Sequence, residues 1–406
     1  MQRSRPESSP FTAERIKTVV SALLFLAGGL LLIGMDIGLP DAYWEHPRAG
    51  LAALPNGWSA LEADLHPTAC GQCHREQYDA WKNSLHAHAY SPGLAGQFPD
   101  MGHVEANDCL TCHAPLAEQR FHNDADMLNS LRLALKETSG AEDQEMRPLR
   151  HTGVSCAACH VRKLQRFGPP PRPSLSVGHH DGPAHDGFTA SKAFEKSQFC
   201  AFCHQFPQSM AVNGKPLENT LAEWKASRFA REGVTCQACH MPDRRHEFKG
   251  IHDPDMVRKG LRIKTEKTVD GVGLKLTSAW IGHAFPSYVT PRVIIQAVAL
   301  DGRGMNLRRW NWEVSRKVIY EDGWREIQDT RLLPGETRVF IPSPLPKQAR
   351  AIRFRVIVEP DYFYKGVYRS LLKGSVAELG SRFISRAAKR AMSNDYLLYE
   401  KTLGLP

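Results

Sequence analysis

The chain has 406 residues, of which 42% are hydrophobic and 23% are charged. This length suggests two or three domains, and the ordinary composition excludes a collagen-like, coiled-coil or wholly disordered protein. The formal net charge of +9, taken alone, would suggest nucleic acid or an anionic membrane as a partner. The distribution of the ten cysteines and eighteen histidines is more informative about the class of protein.

The first feature in chain order is an apolar segment, Thr18–Met35, which contains no charged residue. As a helix it spans about 27 Å, close to the hydrocarbon thickness of a bilayer. Basic residues outnumber acidic ones before it, so we expect the N-terminus in the cytoplasm and the rest of the chain in the periplasm. The run is longer than a usual signal core and no A-x-A site follows it before Pro40. We therefore favour an uncleaved inner-membrane anchor over residues 1–40 to a removed signal peptide.

All ten cysteines lie in five C-x-x-C-H units within residues 41–263. These units are motif 1 (Cys70, Cys73, His74), motif 2 (Cys109, Cys112, His113), motif 3 (Cys156, Cys159, His160), motif 4 (Cys200, Cys203, His204) and motif 5 (Cys236, Cys239, His240). The pattern is the covalent attachment site of c-type haem, in which two thiols bind the vinyl groups and the histidine binds the iron. Zinc ribbons and disulfide frameworks do not require a histidine after every second cysteine. The sequence predicts five haems c, with these histidines as proximal ligands.

The predicted haems change the interpretation of the charge. Each haem with two neutral imidazoles carries about −1 when ferric and −2 when ferrous, so five haems add roughly −5 to −10. The excess lysine and arginine are therefore interpreted as partners of the haem propionates. No nucleic-acid-binding motif is present, so we expect no nucleic-acid partner.

The haem-bearing region is expected to be mainly helical and irregular. The first cysteines of successive motifs are 36 to 47 residues apart, which is too irregular for a solenoid. The proline-rich run Gly168–Pro173 separates motif 3 from motif 4. It either divides the haems into clusters of three and two or forms an ordered surface loop.

From about residue 264 the sequence pattern changes from helical and irregular to one typical of β-strands. The dipeptides Asp301-Gly302 and Asp322-Gly323 stand between apolar runs, which is typical of β-hairpins. One later strand alternates apolar residues on a single face, namely Ile352, Phe354, Val356 and Val358. Residues 264–360 are therefore predicted to form a small antiparallel β-sandwich. Residues 361–406 are predicted to be a helical segment that packs back onto the haem region.

Several segments resemble a family of multihaem cytochromes. These segments are Cys70–His86, Cys109–Gln119, Glu232–Pro242, Gly282–Pro286 and Thr330–Glu336. They are similar to cytochromes c related to the tetrahaem cytochrome that accepts electrons from hydroxylamine oxidoreductase, over about residues 66–345. The resemblance implies periplasmic electron transfer through closely stacked haems, mostly with histidine at both axial positions. Five motifs instead of four is a departure, so the partner of the tetrahaem relative is not carried over.

The resemblance also implies distal ligands. His86 stands at the family's position after tryptophan and serine, with His88 as a rival, and His185, His252 and His283 are at further such positions. If His283 binds iron, the sandwich is clamped to a haem; otherwise it is a polar loop residue. The other candidates are His66, His122, His151, His179, His180 and His246. A thioether ligand could instead come from Met101, Met210 or Met241, although methionine more often fills apolar gaps.

Two main functions follow from these expectations. We favour a membrane-anchored periplasmic electron carrier between a quinol-side membrane donor and a redox partner, for example a multihaem enzyme. The alternative is a multihaem oxidoreductase acting on a nitrogen or sulfur oxyanion, which needs one iron with an open coordination position. Every motif ends in histidine rather than in the lysine found in cytochrome c nitrite reductases, which argues against the enzyme. A third, weaker interpretation is a structural subunit of a membrane complex or an extracellular filament.

Overall fold

The structure is a computed structural model that describes residues 38–137, 147–172, 184–268, 271–374 and 376–405. Two sequence predictions lie outside these residues, namely the anchor Thr18–Met35 and the candidate ligands His179 and His180. Within the described residues, no helix has both the length and the apolar character needed to cross a membrane.

The haem-bearing region is built from short helices joined by irregular segments. Its α-helices are α1 (Ala60–Ala63), α2 (Pro67–Cys73), α3 (Arg75–Trp81), α4 (Pro92–Ala95), α5 (Phe98–Met101), α6 (His103–His113), α7 (Asp124–Glu137), α8 (Cys156–His160), α9 (Ala201–His204), α10 (Thr220–Ala226), α11 (Arg228–Arg231), α12 (Cys236–His240) and α13 (Pro254–Gly260). Turns of 3₁₀ helix occur at Asp41–Trp44, Ala117–Gln119, Leu149–His151, Ala184–Asp186, Lys192–Glu195, Ser197–Cys200, Gln208–Met210 and Pro242–Arg244. The predicted helical and irregular character is therefore confirmed.

Local sequence explains where these helices begin and why they are short. Pro67 and Pro92 lie in the first turns of α2 and α4, where the N–H that proline lacks is not needed. Ser59 and Glu62 form a capping box at the start of α1. Gly102 separates α5 from α6 with a φ of 83°, which favours glycine. These signals fix where the helices begin, and five of the helices, α2, α6, α8, α9 and α12, carry the motifs.

Short strands connect some of these helices. They are β1 (Val161–Arg162), β2 (Gln165–Gly168), β3 (Thr189–Ala190), β4 (Ala211–Val212) and β5 (Lys215–Pro216). Strand β2 pairs antiparallel with β1 and parallel with β3, so it joins the segments on either side of the proline-rich run. Strands β4 and β5 form a separate antiparallel pair.

The second half of the chain forms the sandwich. Its strands are β6 (Leu261–Thr268), β7 (Gly271–Ser278), β8 (Arg292–Leu300), β9 (Asn306–Val314), β10 (Arg316–Tyr320), β11 (Trp324–Asp329), β12 (Thr337–Phe340), β13 (Ala351–Glu359) and β14 (Tyr396–Gly404). One antiparallel sheet has the order β12-β7-β6 and the other β14-β13-β8-β9, while β10 and β11 form a hairpin. A single apolar core lies between the sheets and includes Leu274, Leu276, Ile295 and Phe354.

The sequence predicted several of these features correctly. Asp301-Gly302 connects β8 to β9, and Asp322-Gly323 connects β10 to β11. The four alternating residues of β13 are fully buried, namely Ile352, Phe354, Val356 and Val358. The first strand begins at Leu261, slightly before the predicted start at residue 264.

The C-terminal prediction needs a correction. Residues 361–406 were predicted to be helical, and they do contain α14 (Tyr362–Lys373) and α15 (Glu378–Ser393). The chain then forms β14, which pairs antiparallel with β13. Leu398 of β14 is buried in the sandwich core. Pairing with β13 and burial of this side chain therefore stabilise the extended conformation of the last segment.

Helix α15 packs on the haem-bearing region. A Cβ atom at Gly380 would lie only 2.4 Å from the backbone oxygen of Gly96, so the two backbones are in close contact. Phe383 of α15 joins an apolar cluster with Leu110 and Leu131, and Cys109 of motif 2 packs against that cluster. The C-terminal helices therefore contribute to the surroundings of motif 2.

Candidate haem sites

Each C-x-x-C-H motif lies on or at the end of a short helix. Motif 1 ends α2, motif 2 ends α6, motifs 3 and 5 form α8 and α12, and motif 4 spans a 3₁₀ turn and α9. The two cysteines of each motif are therefore about one turn apart on one side of the helix, as attachment to two vinyl groups requires. None of the ten cysteines, all of which are described, forms a disulfide.

Cysteines of different motifs lie next to one another. The thiols of Cys70 and Cys156, which belong to motifs 1 and 3, shift each other's pKa in opposite directions, so the two side chains are neighbours. The same holds for Cys112 with Cys203 and for Cys200 with Cys236. The fold thus brings motif 1 to motif 3, motif 2 to motif 4, and motif 4 to motif 5.

Many candidate axial histidines share one orientation. Their Nδ1 atoms lie 2.6–3.0 Å from backbone carbonyl oxygens in His113, His160, His185, His240, His246 and His283. Because a carbonyl only accepts, Nδ1 donates its proton and Nε2 carries the free lone pair. This arrangement fixes the tautomer and the ring orientation that a metal-binding imidazole needs.

Three pairs of histidine rings have the spacing of two ligands on one metal. The ring centroids are 6.2 Å apart for His86 and His204, 6.1 Å for His160 and His246, and 6.3 Å for His240 and His283. An imidazole nitrogen binds a metal at about 2.0 Å, so opposed ligands have ring centroids roughly 6.3 Å apart. The structure therefore gives motifs 3, 4 and 5 a second imidazole at the correct distance.

Desolvation keeps these imidazoles neutral. It lowers the pKa of His86 to about 3 and that of His283 to about 4. It also lowers the pKa values of His160 and His204 to about 4. Neutral imidazole is the form that binds a metal, so the donor set fits the predicted bis-histidine coordination.

His252 differs from the paired histidines. Its Nε2 lies 3.1 Å from the Asp361 carboxylate, whereas its buried Nδ1 has no hydrogen-bond partner in the described residues, and its role as a distal ligand stays a prediction. His246, a lower-ranked candidate, is the residue that stands opposite the proximal histidine of motif 3. The two histidines lie six residues apart in the sequence, and only the folded structure shows which of them faces a proximal histidine.

His185 lies near motif 1. Its backbone has a φ of 44°, and its amide donates to the Glu62 carboxylate at 2.9 Å. Desolvation lowers the pKa of His74, and the charge of His185 lowers it further, so these two rings are neighbours. The role of His185 as the distal ligand of motif 1 stays a prediction.

Two other candidates have their Nε2 atoms occupied. His66 Nε2 contacts the carbonyl oxygen of Arg147 at 2.7 Å, and His151 Nε2 contacts the Ser130 hydroxyl at 2.8 Å. His122 is exposed. Met101 packs against the apolar cluster beside α6, as a gap-filling methionine does.

His46 was missed by the sequence analysis. Neither of its ring nitrogens has a hydrogen-bond partner within the described chain, although both atoms are buried. Its ring stacks on Phe202 of motif 4 at 4.1 Å, and desolvation lowers its pKa to about 3. The residue lies before the first motif, in a segment treated as a lead-in, and no spacing signal marks it.

A cavity of about 690 Å³ lies close to motif 2. It is lined by His88, His252, Asp361 and Tyr364 among others. Cys109 is among the groups that raise the pKa of Tyr364, which places this motif nearby. His88, the predicted rival of His86, has its Nδ1 atom 3.5 Å from the Arg147 guanidinium.

Two buried arginines fit the predicted anionic groups. Arg48 and Arg162 are 5% and 6% exposed, and each has one guanidinium nitrogen without a hydrogen-bond partner in the described part of the chain. Arg48 acts electrostatically on Cys112, Cys159 and Cys203. Buried cations beside three motifs suit the carboxylates that haem carries.

Comparisons with known proteins agree with this chemistry. Residues 69–132, which contain motifs 1 and 2, match the family model described as cytochrome c554 and c-prime. The crystal structure of a penta-heme cytochrome c552 from Thermochromatium tepidum matches 83% of this chain and 97% of that chain, with a TM-score of 0.54 and 19% identity. At this identity the likeness shows a shared fold. None of the curated proteins gives a significant match.

Proposed function

We propose that the chain is a multihaem c-type cytochrome that holds five haems, one at each motif, and transfers electrons along them; the family match over residues 69–132 and the shared fold with a penta-heme cytochrome support this proposal. The observation that carries this proposal is the contact between cysteines of different motifs. Because attachment cysteines mark where each haem is held, touching motifs hold neighbouring haems. When bound, haem c supplies one-electron chemistry at its iron.

The contacts give a connected order of motifs. Motif 1 touches motif 3, and motif 4 touches both motif 2 and motif 5. Cys203 is among the groups that raise the pKa of Cys159, so motif 3 is also close to motif 4. All five motifs therefore belong to one network with motif 4 at its branch point.

The chain's histidines would fix the irons in this network. His86, His246 and His283 would complete coordination at motifs 4, 3 and 5, while His185 would do so at motif 1. An iron held by two imidazoles does not offer a position to a substrate. This closed coordination supports an electron carrier rather than a catalyst at these four motifs.

The proposed location is the periplasmic face of the inner membrane. The apolar run Thr18–Met35 and the basic residues before it support a single-pass anchor with the motifs outside the cytoplasm. The partners we propose are a quinol-side membrane donor and a redox protein. Membrane fractionation and N-terminal sequencing test the anchor, and a mature protein that begins near Asp41 in the soluble periplasm would overturn it.

The haem count is the first experiment. A pyridine haemochrome assay with intact-mass analysis of mature protein should give five covalent additions. Cys109→Ser/Cys112→Ser should remove one of them, because it deletes the thiols of motif 2. Four or fewer haems in wild-type protein from a competent host would contradict the proposal.

A second candidate function rests on the cavity near motif 2. His252, Asp361 and Tyr364 line it and would supply acid and base groups to a small oxyanion of nitrogen or sulfur. This oxidoreductase needs an open iron at motif 2. Carbon monoxide binding to the reduced protein, with a high-spin signal in the oxidised spectrum, would favour it; five low-spin irons inert to carbon monoxide would exclude it.

A further inference from the structure

The excess of positive charge is concentrated on the two C-terminal helices. Residues 362–393, which contain α14 and α15, have seven basic residues and one acidic residue, so they supply +6 of the formal net charge of +9. All the other residues together supply only the remaining +3. A local excess of this size produces a positive field on one part of the surface.

Four of these basic residues lie along one face of α15. Their positions follow the i, i+4, i+7, i+8 pattern of a helix face, and we call them the basic stripe: Arg382, Arg386, Lys389 and Arg390. The opposite face of α15 is apolar and buried, and it includes Phe383, Ile384, Ala387 and Ala391. In the stripe, Arg382, Lys389 and Arg390 are exposed, and none of these three forms an ion pair with another described residue.

The orientation of α15 argues against a lipid surface as the partner of the basic stripe. A helix that lies in a membrane interface buries its apolar face among headgroups and acyl chains. The apolar face of α15 is instead packed inside the protein, where Ile384 and Ala391 are 0% and 3% exposed. The charges are therefore left to interact with a partner in solution, and a negatively charged protein surface complements them.

The helix that carries the basic stripe also packs against motif 2. Phe383 lies in one apolar cluster with Leu110, which is itself a residue of motif 2, and Cys109 packs against that cluster. Arg390 of the stripe lines the cavity close to motif 2. A partner bound to the stripe would therefore be placed beside motif 2.

We propose that the basic stripe is the docking surface for a redox protein with an acidic surface, which exchanges electrons with the protein at motif 2. In the docked complex, one electron passes from the reduced partner to a ferric iron at motif 2, which becomes ferrous, and no bond is made or broken. The proposal names the class of redox partner in the proposed function and rests on that function, because motif 2 must hold haem.

Electrostatic steering is the expected benefit of such a surface. Electron-transfer complexes are weak and bury little surface, so complementary charge acts mainly on the rate of association. Salt screens exposed charges, which makes that rate depend on ionic strength. The rate of electron entry, measured against salt, therefore reports on docking at the stripe.

Stopped-flow reduction of the oxidised holoprotein by a reduced plant-type ferredoxin, an acidic one-electron donor, tests the proposal. In wild type, the bimolecular rate constant should fall about tenfold or more between about 0.01 M and about 0.5 M ionic strength. Arg382→Glu/Lys389→Glu should lower the rate constant about tenfold at low ionic strength and remove most of the salt dependence. Arg390 is left unchanged because it lines the cavity.

Two further variants separate the position of the charge from its amount. Arg303→Glu/Arg309→Glu makes the same change in net charge at exposed positions of the sandwich, and its rate constant should stay within about twofold of wild type. Arg382→Gln/Lys389→Gln only neutralises the stripe and should give an intermediate rate, which also covers a failure of the reversed variant to fold. A wild-type rate that is indifferent to salt, or equal effects of the two charge reversals, would overturn the proposal.

The remaining measurements test the partner class and the motif. Binding of wild type to phosphatidylserine vesicles that is lost in Arg382→Glu/Lys389→Glu, with an unchanged rate of reduction by ferredoxin, would assign the stripe to a membrane and overturn the proposal. Cys109→Ser/Cys112→Ser protein that keeps its other haems should lose the fast, salt-dependent phase, and persistence of that phase would exclude motif 2 as the entry point. A haem missing from motif 2 in wild-type protein would instead contradict the proposed function.

Discussion

Arg331 of the sandwich and Glu223 of α10 form an ion pair at 3.0 Å, with side chains only 3% and 9% exposed. Arg331 also binds Asp329, while Glu223 accepts the backbone amide of Ala284 at 3.1 Å, next to the candidate ligand His283. The pair therefore joins the two halves of the chain at the point where the sandwich reaches motif 5. Buried charges of this kind are costly to separate.

Arg331→Leu should strongly destabilise the protein. The substitution leaves Glu223 and Asp329 without their shared cation in a poorly solvated site, so we expect a loss of roughly 3–5 kcal/mol. Denaturant unfolding of the holoprotein measures it. Arg325→Leu is the control, because its pair with Glu321 is exposed and should contribute less than about 1 kcal/mol. Equal effects of the two substitutions would argue against a buried junction.

The two histidines His246 and His252 should differ in their effect on spin state. His246→Ala removes the ring opposite His160, so one haem should become high spin in the oxidised EPR and optical spectra. His252→Ala only releases Asp361, and all spin states should stay as in wild type. A new high-spin haem in His252→Ala, with none in His246→Ala, would make His252 the ligand after all.

His283→Ala provides the corresponding test for the sandwich. The ring lies 6.3 Å from His240, so its loss should convert the haem of motif 5, and that haem alone, to high spin. Unchanged spectra would mean that the sandwich is not attached through iron. Thr277→Ala, on a half-buried sandwich strand, is a matched change that should leave all haems unchanged.

The sequence was informative about attachment and less informative about distal ligation. The cysteines and proximal histidines follow one local pattern, because attachment needs residues within a single helical turn. Distal ligands come from any segment that the fold brings within reach of the iron. His246 and His252 are close in sequence, yet His246 is hydrogen-bonded through Nδ1 and stands opposite His160, whereas His252 is hydrogen-bonded through Nε2; His46 has no motif at all.

Gly380→Ala should weaken the contact between α15 and α4. Alanine favours helix by about 1 kcal/mol, but its Cβ would meet the backbone oxygen of Gly96, which cannot move aside as a side chain can. We expect a net loss of roughly 1–3 kcal/mol in thermal or denaturant unfolding. Ser385→Ala, on the exposed face of the same helix, should be neutral or slightly stabilising.

Asp329 should make stability depend on acid pH. Desolvation raises its pKa, but hydrogen bonds from Arg331 and Lys215 outweigh this and hold the pKa well below the usual value. Because the folded pKa is lowered, the stabilisation is complete above the unfolded pKa of about 4 and is lost as pH falls further.

Asp329→Asn should therefore be destabilised by roughly 1–3 kcal/mol at neutral pH, and the difference from wild type should shrink below about pH 4. Unfolding midpoints measured from pH 7 to pH 2.5 show this directly. Asp255→Asn, at an 81% exposed carboxylate, is the control and should match wild type throughout. A difference that grows towards acid pH would mean that the folded pKa of Asp329 is raised rather than lowered.

The fold was predictable where periodicity is local. The two hairpins and the alternation of β13 follow from turn chemistry and from one buried face. Strand β14 was not predicted, because Tyr396–Gly404 directly follows a strongly basic helical pattern. The segment is extended because it pairs with β13, which ends nearly forty residues earlier in the chain. The packing of Gly380 on Gly96 depends equally on distant residues.

The position of β14 has a consequence for biogenesis. This strand follows all five motifs in chain order, and without it β13 is the edge of its sheet. Newly made chain therefore presents its attachment cysteines while the sandwich still lacks its final strand. Until β14 pairs, the edge of the sheet at β13 has unpaired backbone groups, so the sandwich can be completed only after the last residues of the segment have been synthesised.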